Sequence, residues 1–342
     1  MDEKISGHEL ITRFSDPVSG LDGWIAIHST KRGPAVGGTR YLAYPNSDAA
    51  LDDALRLSRS MTYKCALADV PFGGGKAVIM AKDTVTDRAA LLDAYGRRVN
   101  LLKGNFSTGE DVGISEDDVR ELVKICPYII GSPERAGDPS PWAALGVFHA
   151  IRAALASREG SDSLSGKKIT IKGLGKVGLA LAKFLADEGS VVIGSDCNEE
   201  RNILAKKEIP NIEIVTCDEI GKIDADVYAP CALGSEFTEE NIDGLGAEII
   251  CGSANNQLET PQVGTQLHER DILYIPDYLA NAGGLINVVA ELDPAGYSRE
   301  RVIEKVANIF QTASDIIQRS REKGLPTHII ADTIAEEAIN RP

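Results

Sequence analysis

Three glycine-bounded segments hold the residues best suited to chemistry. The first is Gly173-Leu174-Gly175-Lys176-Val177-Gly178, a GxGxxG turn. Between a strand and a helix, such a turn binds the pyrophosphate of a dinucleotide. Gly173 permits the tight turn, and Gly175 lets the phosphates approach the backbone. Gly178 allows close packing of helix on strand. The helix N-terminus offers free N–H groups and positive potential. Alone, the pattern also fits an ordinary strand-to-helix turn. Asp196, eighteen residues beyond Gly178 at the end of a second strand, sharpens it. A carboxylate there accepts hydrogen bonds from the adenosine ribose and repels the 2′-phosphate of NADP. Cys197 and Asn198 follow it, not an arginine, so the turn points to NAD.

The second segment is Pro71-Phe72-Gly73-Gly74-Gly75-Lys76. Three consecutive glycines cost folding entropy and mark a place where backbone comes close to something. Lys76 projects from that place. Lys64, in Met61-Thr62-Tyr63-Lys64, lies twelve residues earlier. Taken alone, it reads as a solvated charge. The third segment, Thr108-Gly109-Glu110-Asp111-Val112-Gly113, sets paired acids between glycines. Its plain reading is a turn with surface carboxylates. Spacing alone does not bring these loops together.

The elements that must position these residues show in the apolar pattern. Trp24–Ile27 and Ala77–Met80 read as short buried strands. Ser47, Asp87 and Ser115 are expected helix N-caps, the last followed by an acid three residues on. Gly137, Pro139 and Pro141 mark an interdomain joint. From Ile169 onward, strands alternate with helices: Ile169–Ile171, Val191–Ile193, Asp226–Tyr228, Glu248–Ile250 and Ile272–Ile275 are the strands. Such alternation argues for a parallel, doubly wound sheet. One long helix is expected through Val302 to Ile317, ended by Gly324 and Pro326, and a last one follows from Thr327.

Bulk properties narrow the class. With 342 residues, the chain is long enough for two domains. Its net charge of −15 disfavours nucleic acid and anionic membranes. No stretch is long and apolar enough to span a bilayer, and the first residues lack the pattern of a signal peptide. The six cysteines are scattered singly, without a CxxC pair. Zinc and a disulfide framework are therefore poor readings, and free thiols in a reducing cytoplasm are expected.

Several segments, taken in order, resemble the leucine, valine and phenylalanine dehydrogenases of the glutamate dehydrogenase superfamily. They are Gly33-Pro34-Ala35-Val36-Gly37-Gly38-Thr39-Arg40, Met61–Lys64, Gly73–Lys76, Thr108–Gly113 and Gly137-Asp138-Pro139-Ser140-Pro141. The GxGxxG turn, Ala229–Ala232, Ala254–Gln257 and Asn281–Gly284 continue the series. The resemblance covers nearly the whole chain.

The resemblance implies two α/β domains around a cleft. Residues 1–136, joined by a C-terminal helix at 325–342, would form a substrate-binding and oligomerisation domain. Residues 137–324 would form a Rossmann-type NAD domain. It implies reversible, NAD-dependent oxidative deamination of a hydrophobic L-amino acid, branched-chain or aromatic, by a cytoplasmic homo-oligomer. Lys76 and Asp111 would be catalytic. Lys64 would bind the substrate carboxylate, helped by backbone around Gly38 and by Asn281. Val36, Gly109, Leu285 and Val288 would line an apolar pocket. The cofactor set would comprise Gly173 to Gly178, Asp196, Ala232, Asn255 and Asn256. Relatives commonly carry a threonine where this chain has Ala143, which removes an expected hydrogen bond to the nicotinamide carboxamide. The alternative is a non-catalytic NAD-binding regulator on the same fold.

Overall fold

In the computed structural model, which describes residues 7–341, the chain opens with the antiparallel pair β1 (Leu10–Asp16) and β2 (Leu21–Ser29). Next come β3 (Ala35–Val36), β4 (Thr39–Leu42), α1 (Ser47–Leu67), β5 (Gly73–Met80), α2 (Arg88–Asn100), β6 (Phe106–Ser107) and α3 (Glu116–Ile125). The strands form one mixed sheet in the order β1-β2-β5-β3-β6, with β4 also paired to β5. Every residue of β5 is buried. Side chains alternate across a strand, so its two faces serve different layers. Ala77 and Ile79 pack with Ile25, Leu91, Tyr95 and Phe106. Val78 and Met80 pack with Ala50, Ala54 and Leu55 of α1.

Local capping rules place two of the three helix starts. Asp87 caps α2, and Ser115 caps α3 with a reciprocal bond from Asp118. At α1 the cap is Asn46, not Ser47; its side chain accepts the Ala49 N–H at 2.8 Å. Ser47 Oγ instead accepts the Trp24 indole N–H at 3.1 Å. A tertiary partner has taken the hydroxyl that the local pattern assigned to the cap.

The remainder begins with α4 (Ser140–Glu159), then β7 (Lys168–Lys172), α5 (Lys176–Asp187), β8 (Val191–Ser195), α6 (Glu199–Glu208) and β9 (Glu213–Ile214). It continues with β10 (Ala225–Pro230), β11 (Ala247–Ile250), α7 (Pro261–Glu269), β12 (Leu273–Tyr274), α8 (Asp277–Ala280) and α9 (Gly283–Val289). Last come α10 (Arg299–Ala307), α11 (Ile309–Lys323) and α12 (Thr327–Ile339). The six strands are all parallel, in the order β12-β11-β10-β7-β8-β9. This is the doubly wound order of a Rossmann sheet, with its reversal between β7 and β10.

The single helix expected from Val302 to Ile317 is two helices, α10 and α11, broken at Asn308. The Asn308 N–H bonds to Lys305 O, three residues back, at 3.2 Å. Asparagine has weak helix propensity, and its carbonyl restarts the ladder by accepting Thr312 N–H. Gly324 closes α11 in the left-handed region, at φ 63°.

Contacts divide the chain into two units. The first comprises Met1–Asp138, Asn287–Ser298 and Ala335–Pro342, and the second Pro139–Ile286 and Arg299–Ile334.

Candidate active site

Lys76 sits in the middle of β5, on the face it shares with Gly74 and Val78, toward α1. Only 6% of it is exposed. The glycines before it answer to neighbours within the protein. A Cβ on Gly73 would stand 1.9 Å from Ser29 O, and one on Gly74 2.0 Å from Thr62 N. A Cβ on Gly75 would meet the Phe106 ring at 2.7 Å. The triplet thus lets β2, α1 and β6 close around the strand. Lys64, half-buried on α1, lies two residues past Thr62.

Asp111 reaches Lys76 from the segment after β6. The Asp111 loop is laced to β4: Thr39 N–H donates to Gly109 O at 2.9 Å and Tyr41 N–H to Val112 O at 2.8 Å. Gly38 permits that approach, since a Cβ there would lie 2.9 Å from Asp111 Cβ. The Lys76 ammonium donates to Asp111 Oδ2. Arg40 Nη2 stands 3.7 Å from Asp111 Oδ1, and Arg40 Nη1 pairs with Asp53 at 2.9 Å. Asp53 also binds Arg56 at 2.8 Å and accepts from the Tyr44 hydroxyl at 2.6 Å.

Burial lowers the Lys76 pKa most, and the positive charge of Arg40 comes next. Lys64 and Arg56 add to this, while Asp53 opposes it; the group is pushed down to about 7. A lysine balanced in this way exchanges its proton near neutrality. Arg40 ends one of the family-like segments, but nothing in its spacing gives it this role, and Asp53 lies in no motif at all.

Of the pocket residues that the resemblance implies, Val36, Gly109 and Val288 belong to the first unit. Val36 is buried in β3. A Cβ on Gly109 would stand 2.3 Å from Ile130 O, so its lack of a side chain already has a packing reason. Val288 lies beside Gly131, whose Cβ would come within 3.4 Å of it. Buried Glu291 ties this stretch down by accepting Gly131 N–H at 3.2 Å and Ala136 N–H at 3.0 Å. Leu285 belongs to the second unit.

In that unit, the GxGxxG turn occupies the carboxyl end of β7, where the strand order reverses. Gly173 has φ 97°, and a Cβ on it would be 2.8 Å from Ala232 N. A Cβ on Gly178 would stand 1.8 Å from Gly173 O. At Gly175, by contrast, only the tip of Arg201 comes within 4 Å, at 3.8 Å. No side chain caps α5. Open backbone at Gly175 and uncapped N–H groups fit a dinucleotide pyrophosphate.

Asp196 is not a solvated acid: its side chain is 7% exposed. It accepts Leu174 N–H and Asn198 N–H, each at 2.8 Å, and Arg201 Nη1 at 3.3 Å. Burial works to raise its pKa, but those three donors prevail and hold it below the usual carboxylate value. Arg201 is a neighbour that the two positions after Asp196 do not reveal. It lies about one helical turn further on, within α6.

Asn281 Nδ2 donates to Asn255 Oδ1 at 2.8 Å and to Ser253 O at 3.0 Å. The structure therefore groups Asn281 with Asn255, and Asn256 follows in the left-handed region at φ 53°. Ala143 lies in the first turn of α4, its Cβ 3.6 Å from the Cβ position of Gly284. Trp142 carries the Arg299 guanidinium over its ring at 5.7 Å.

Strand order and turn together define an α/β protein with a Rossmann-type sheet. Residues 8–127 match the Glu/Leu/Phe/Val dehydrogenase dimerisation domain, and residues 195–340 match the glutamate/leucine/phenylalanine/valine dehydrogenase model. The chain is 44% identical over 336 residues to an L-tryptophan dehydrogenase of Nostoc punctiforme, covering 98% of this chain and 94% of that protein. It is 41% identical to a leucine dehydrogenase of Bacillus subtilis, covering 98% and 92%. It is 44% identical to a phenylalanine dehydrogenase of Lysinibacillus sphaericus, covering 93% and 85%. The crystal structure of the Nostoc enzyme superposes with a TM-score of 0.87, at 43% identity, over 98% of this chain and 96% of that one. A hetero-hexameric glutamate dehydrogenase of Thermus thermophilus shares the fold, with a TM-score of 0.79 at 23% identity over 98% and 89%. The chain belongs to the glutamate/leucine/phenylalanine/valine dehydrogenase family.

Proposed function

We propose that this chain is an NAD-dependent dehydrogenase that oxidatively deaminates hydrophobic L-amino acids to 2-oxo acids and ammonia, reversibly. The observation that carries this reading is the buried Lys76–Asp111 pair, with Lys76 pushed down to about 7. Its named relatives act on tryptophan, leucine and phenylalanine, so an apolar side chain is the shared substrate feature. None of them supports the non-catalytic regulator.

Lys64 holds the substrate carboxylate, with backbone around Gly38 as a further donor; the Asn281 amide joins them by exchanging Asn255 or Ser253 for the substrate, since both its N–H groups are engaged by those two residues. The cofactor held by the GxGxxG turn would supply the acceptor for the hydride that leaves Cα. Neutral Lys76 removes a proton from the water that attacks the resulting iminium carbon. Asp111 passes a proton to the departing amine, and its contact with Lys76 lets the two share protons. Val36, Gly109, Leu285 and Val288 surround the side chain. Leu174, Lys176 and Val177, with the glycines of the turn, hold the pyrophosphate. Asp196 binds the adenosine ribose, and Ala232, Asn255 and Asn256 flank the cofactor.

We assign residues 1–136 with 325–342 to substrate binding and assembly, and 137–324 to cofactor binding. The dimerisation-domain match supports a homo-oligomer, and the acidic chain with its free cysteines suits the cytoplasm. Among the described residues, no helix is long and apolar enough to cross a membrane.

The test is a panel of hydrophobic L-amino acids with NAD⁺, reading NADH and ammonia together. Lys76→Met and Asp111→Asn should each lower kcat/KM by roughly 10²–10⁴-fold while the fold, followed by circular dichroism, is kept. Folded variants with undiminished turnover would sink the assignment. NAD binding without turnover of any amino acid would favour the regulator.

A further inference from the structure

The cysteines that looked scattered in the sequence include one pair that the fold brings together. Cys197 Sγ and Cys217 Sγ lie 2.8 Å apart. Cys197 follows Asp196 at the carboxyl end of β8 and is exposed. Cys217 stands three residues past β9, the edge strand, and is half-buried. The chain between them contains all of α6 and β9. Parallel pairing of β8 with β9 sets this geometry, extended by Val215 N–H donating to Gly194 O at 3.1 Å. Ser195 Oγ donates to Cys217 Sγ at 3.3 Å, which fixes the second sulfur against the end of β8.

We propose that Cys197 and Cys217 form a reversible disulfide that weakens NAD binding. A disulfide bond is about 2.05 Å long, so closure asks the sulfurs to approach by only about 0.8 Å. The oxidant class is a hydroperoxide. The Cys197 thiolate attacks one peroxide oxygen, the O–O bond breaks, and a sulfenic acid forms with release of water or an alcohol. The Cys217 thiolate then attacks that sulfur, the S–O bond breaks, and a second water leaves. Two electrons and two protons pass from the thiols to the peroxide. A dithiol reductant reverses the change. At rest, the hydrogen bond between the sulfurs holds the Cys197 thiol above its ordinary pKa, which favours the protonated dithiol and slows its attack on the peroxide.

The coupling to NAD rests on the cofactor reading above. Ligands of such sheets bind beyond the carboxyl ends of the strands, where both sulfurs lie. Asp196, adjacent in sequence to Cys197, holds the glycine turn through Leu174 N–H. Pulling Cys197 toward β9 therefore strains Asp196, the carboxylate that holds the turn and is assigned to the ribose.

The experiment treats the purified full chain with hydrogen peroxide, then maps peptides by mass spectrometry and measures NAD affinity by calorimetry. Expected are a mass lower by two hydrogens, a Cys197–Cys217 linked peptide and a Kd for NAD raised several-fold. Dithiothreitol should restore both readings. Cys197→Ser and Cys217→Ser should form no such link and keep their NAD affinity under peroxide. Failure of the link to form, with both thiols still titratable or Cys197 oxidised alone to the sulfinic acid, overturns the proposal. A mapped link with unchanged Kd overturns the coupling. If reduced wild-type protein binds no NAD, the cofactor reading fails instead, and the linked peptide still reports the dithiol separately.

Discussion

The two oxygens of Asp111 face different cations: Oδ2 accepts from Lys76, while Oδ1 lies 3.7 Å from Arg40 Nη2. The same guanidinium is the largest charged contribution lowering Lys76. Arg40 thus stabilises the Asp111 carboxylate and destabilises the protonated form of Lys76. Asp53, held by Arg56 and Tyr44, keeps Arg40 in place.

This predicts the pH profile. A base must be neutral to act, and Lys76 becomes neutral as pH rises through about 7. kcat/KM for oxidative deamination should therefore climb through that region. Arg40→Gln removes a positive charge, raises the Lys76 pKa and moves the ascending limb to higher pH. Wherever the limb moves by one pH, about tenfold less lysine is neutral on its acid side. Arg40→Lys should restore most of the profile. A limb that stays in place in Arg40→Gln would remove Arg40 from the tuning.

Cofactor choice should turn on Asp196 and Arg201 together. With the carboxylate present, Arg201 is engaged 3.3 Å from it. Asp196→Ala would free the guanidinium for a 2′-phosphate while removing the ribose acceptor. The ratio of kcat/KM for NAD to that for NADP should fall, and Asp196→Ala with Arg201→Ala should lose NAD without gaining NADP. An unchanged ratio in the single variant would count against the ribose role.

Gly109 and Val288 should behave differently. A methyl at Gly109 meets the Ile130 carbonyl, so Gly109→Ala should cost about 1–3 kcal/mol of stability by overpacking. Val288→Ile, which adds one methylene, should change the relative kcat/KM for leucine and phenylalanine by about 10–200-fold at most, since one methylene in such a pocket is worth only ~1–3 kcal/mol. Denaturant midpoints and substrate panels separate the two effects. A Gly109→Ala protein of full stability would contradict the close contact.

Glu291 should be a structural anchor. Burial raises its pKa, and the two N–H groups it accepts oppose that rise. Glu291→Ala leaves the Gly131 and Ala136 N–H groups without their acceptor, at about 1–3 kcal/mol for each buried group so exposed. The thermal midpoint should drop. An unaltered midpoint would mean that other acceptors take over.

What was legible in the sequence was local. The turn at Gly173, the acid at Asp196, the caps at Asp87 and Ser115, and the alternation behind the parallel sheet all arise within a few residues. Long-range competition hid the rest. Trp24 took the Ser47 hydroxyl, and the glycines before Lys76 face Ser29, Thr62 and Phe106. The Lys76–Asp111 contact spans 35 positions. Only family resemblance, not spacing, anticipated that those two residues would act together. Arg201 and the Cys197–Cys217 pair depend on how α6 and β9 fold back, which no short motif encodes.

Glu291 and the last helix bear on the order in which the chain can mature. The first unit includes Asn287–Ser298 and Ala335–Pro342. Arg32 donates to Ala338 O at 3.3 Å and the Tyr63 hydroxyl to Glu336 at 2.7 Å. Domains made first usually fold first during synthesis. Here the last contacts of the amino-terminal unit form only after residues beyond 334 have been made. The parallel sheet has all its strands once Tyr274 has been made, although its unit extends to Ile334. Nascent chains stalled before that point should expose the Lys76 strand to proteases and chaperones.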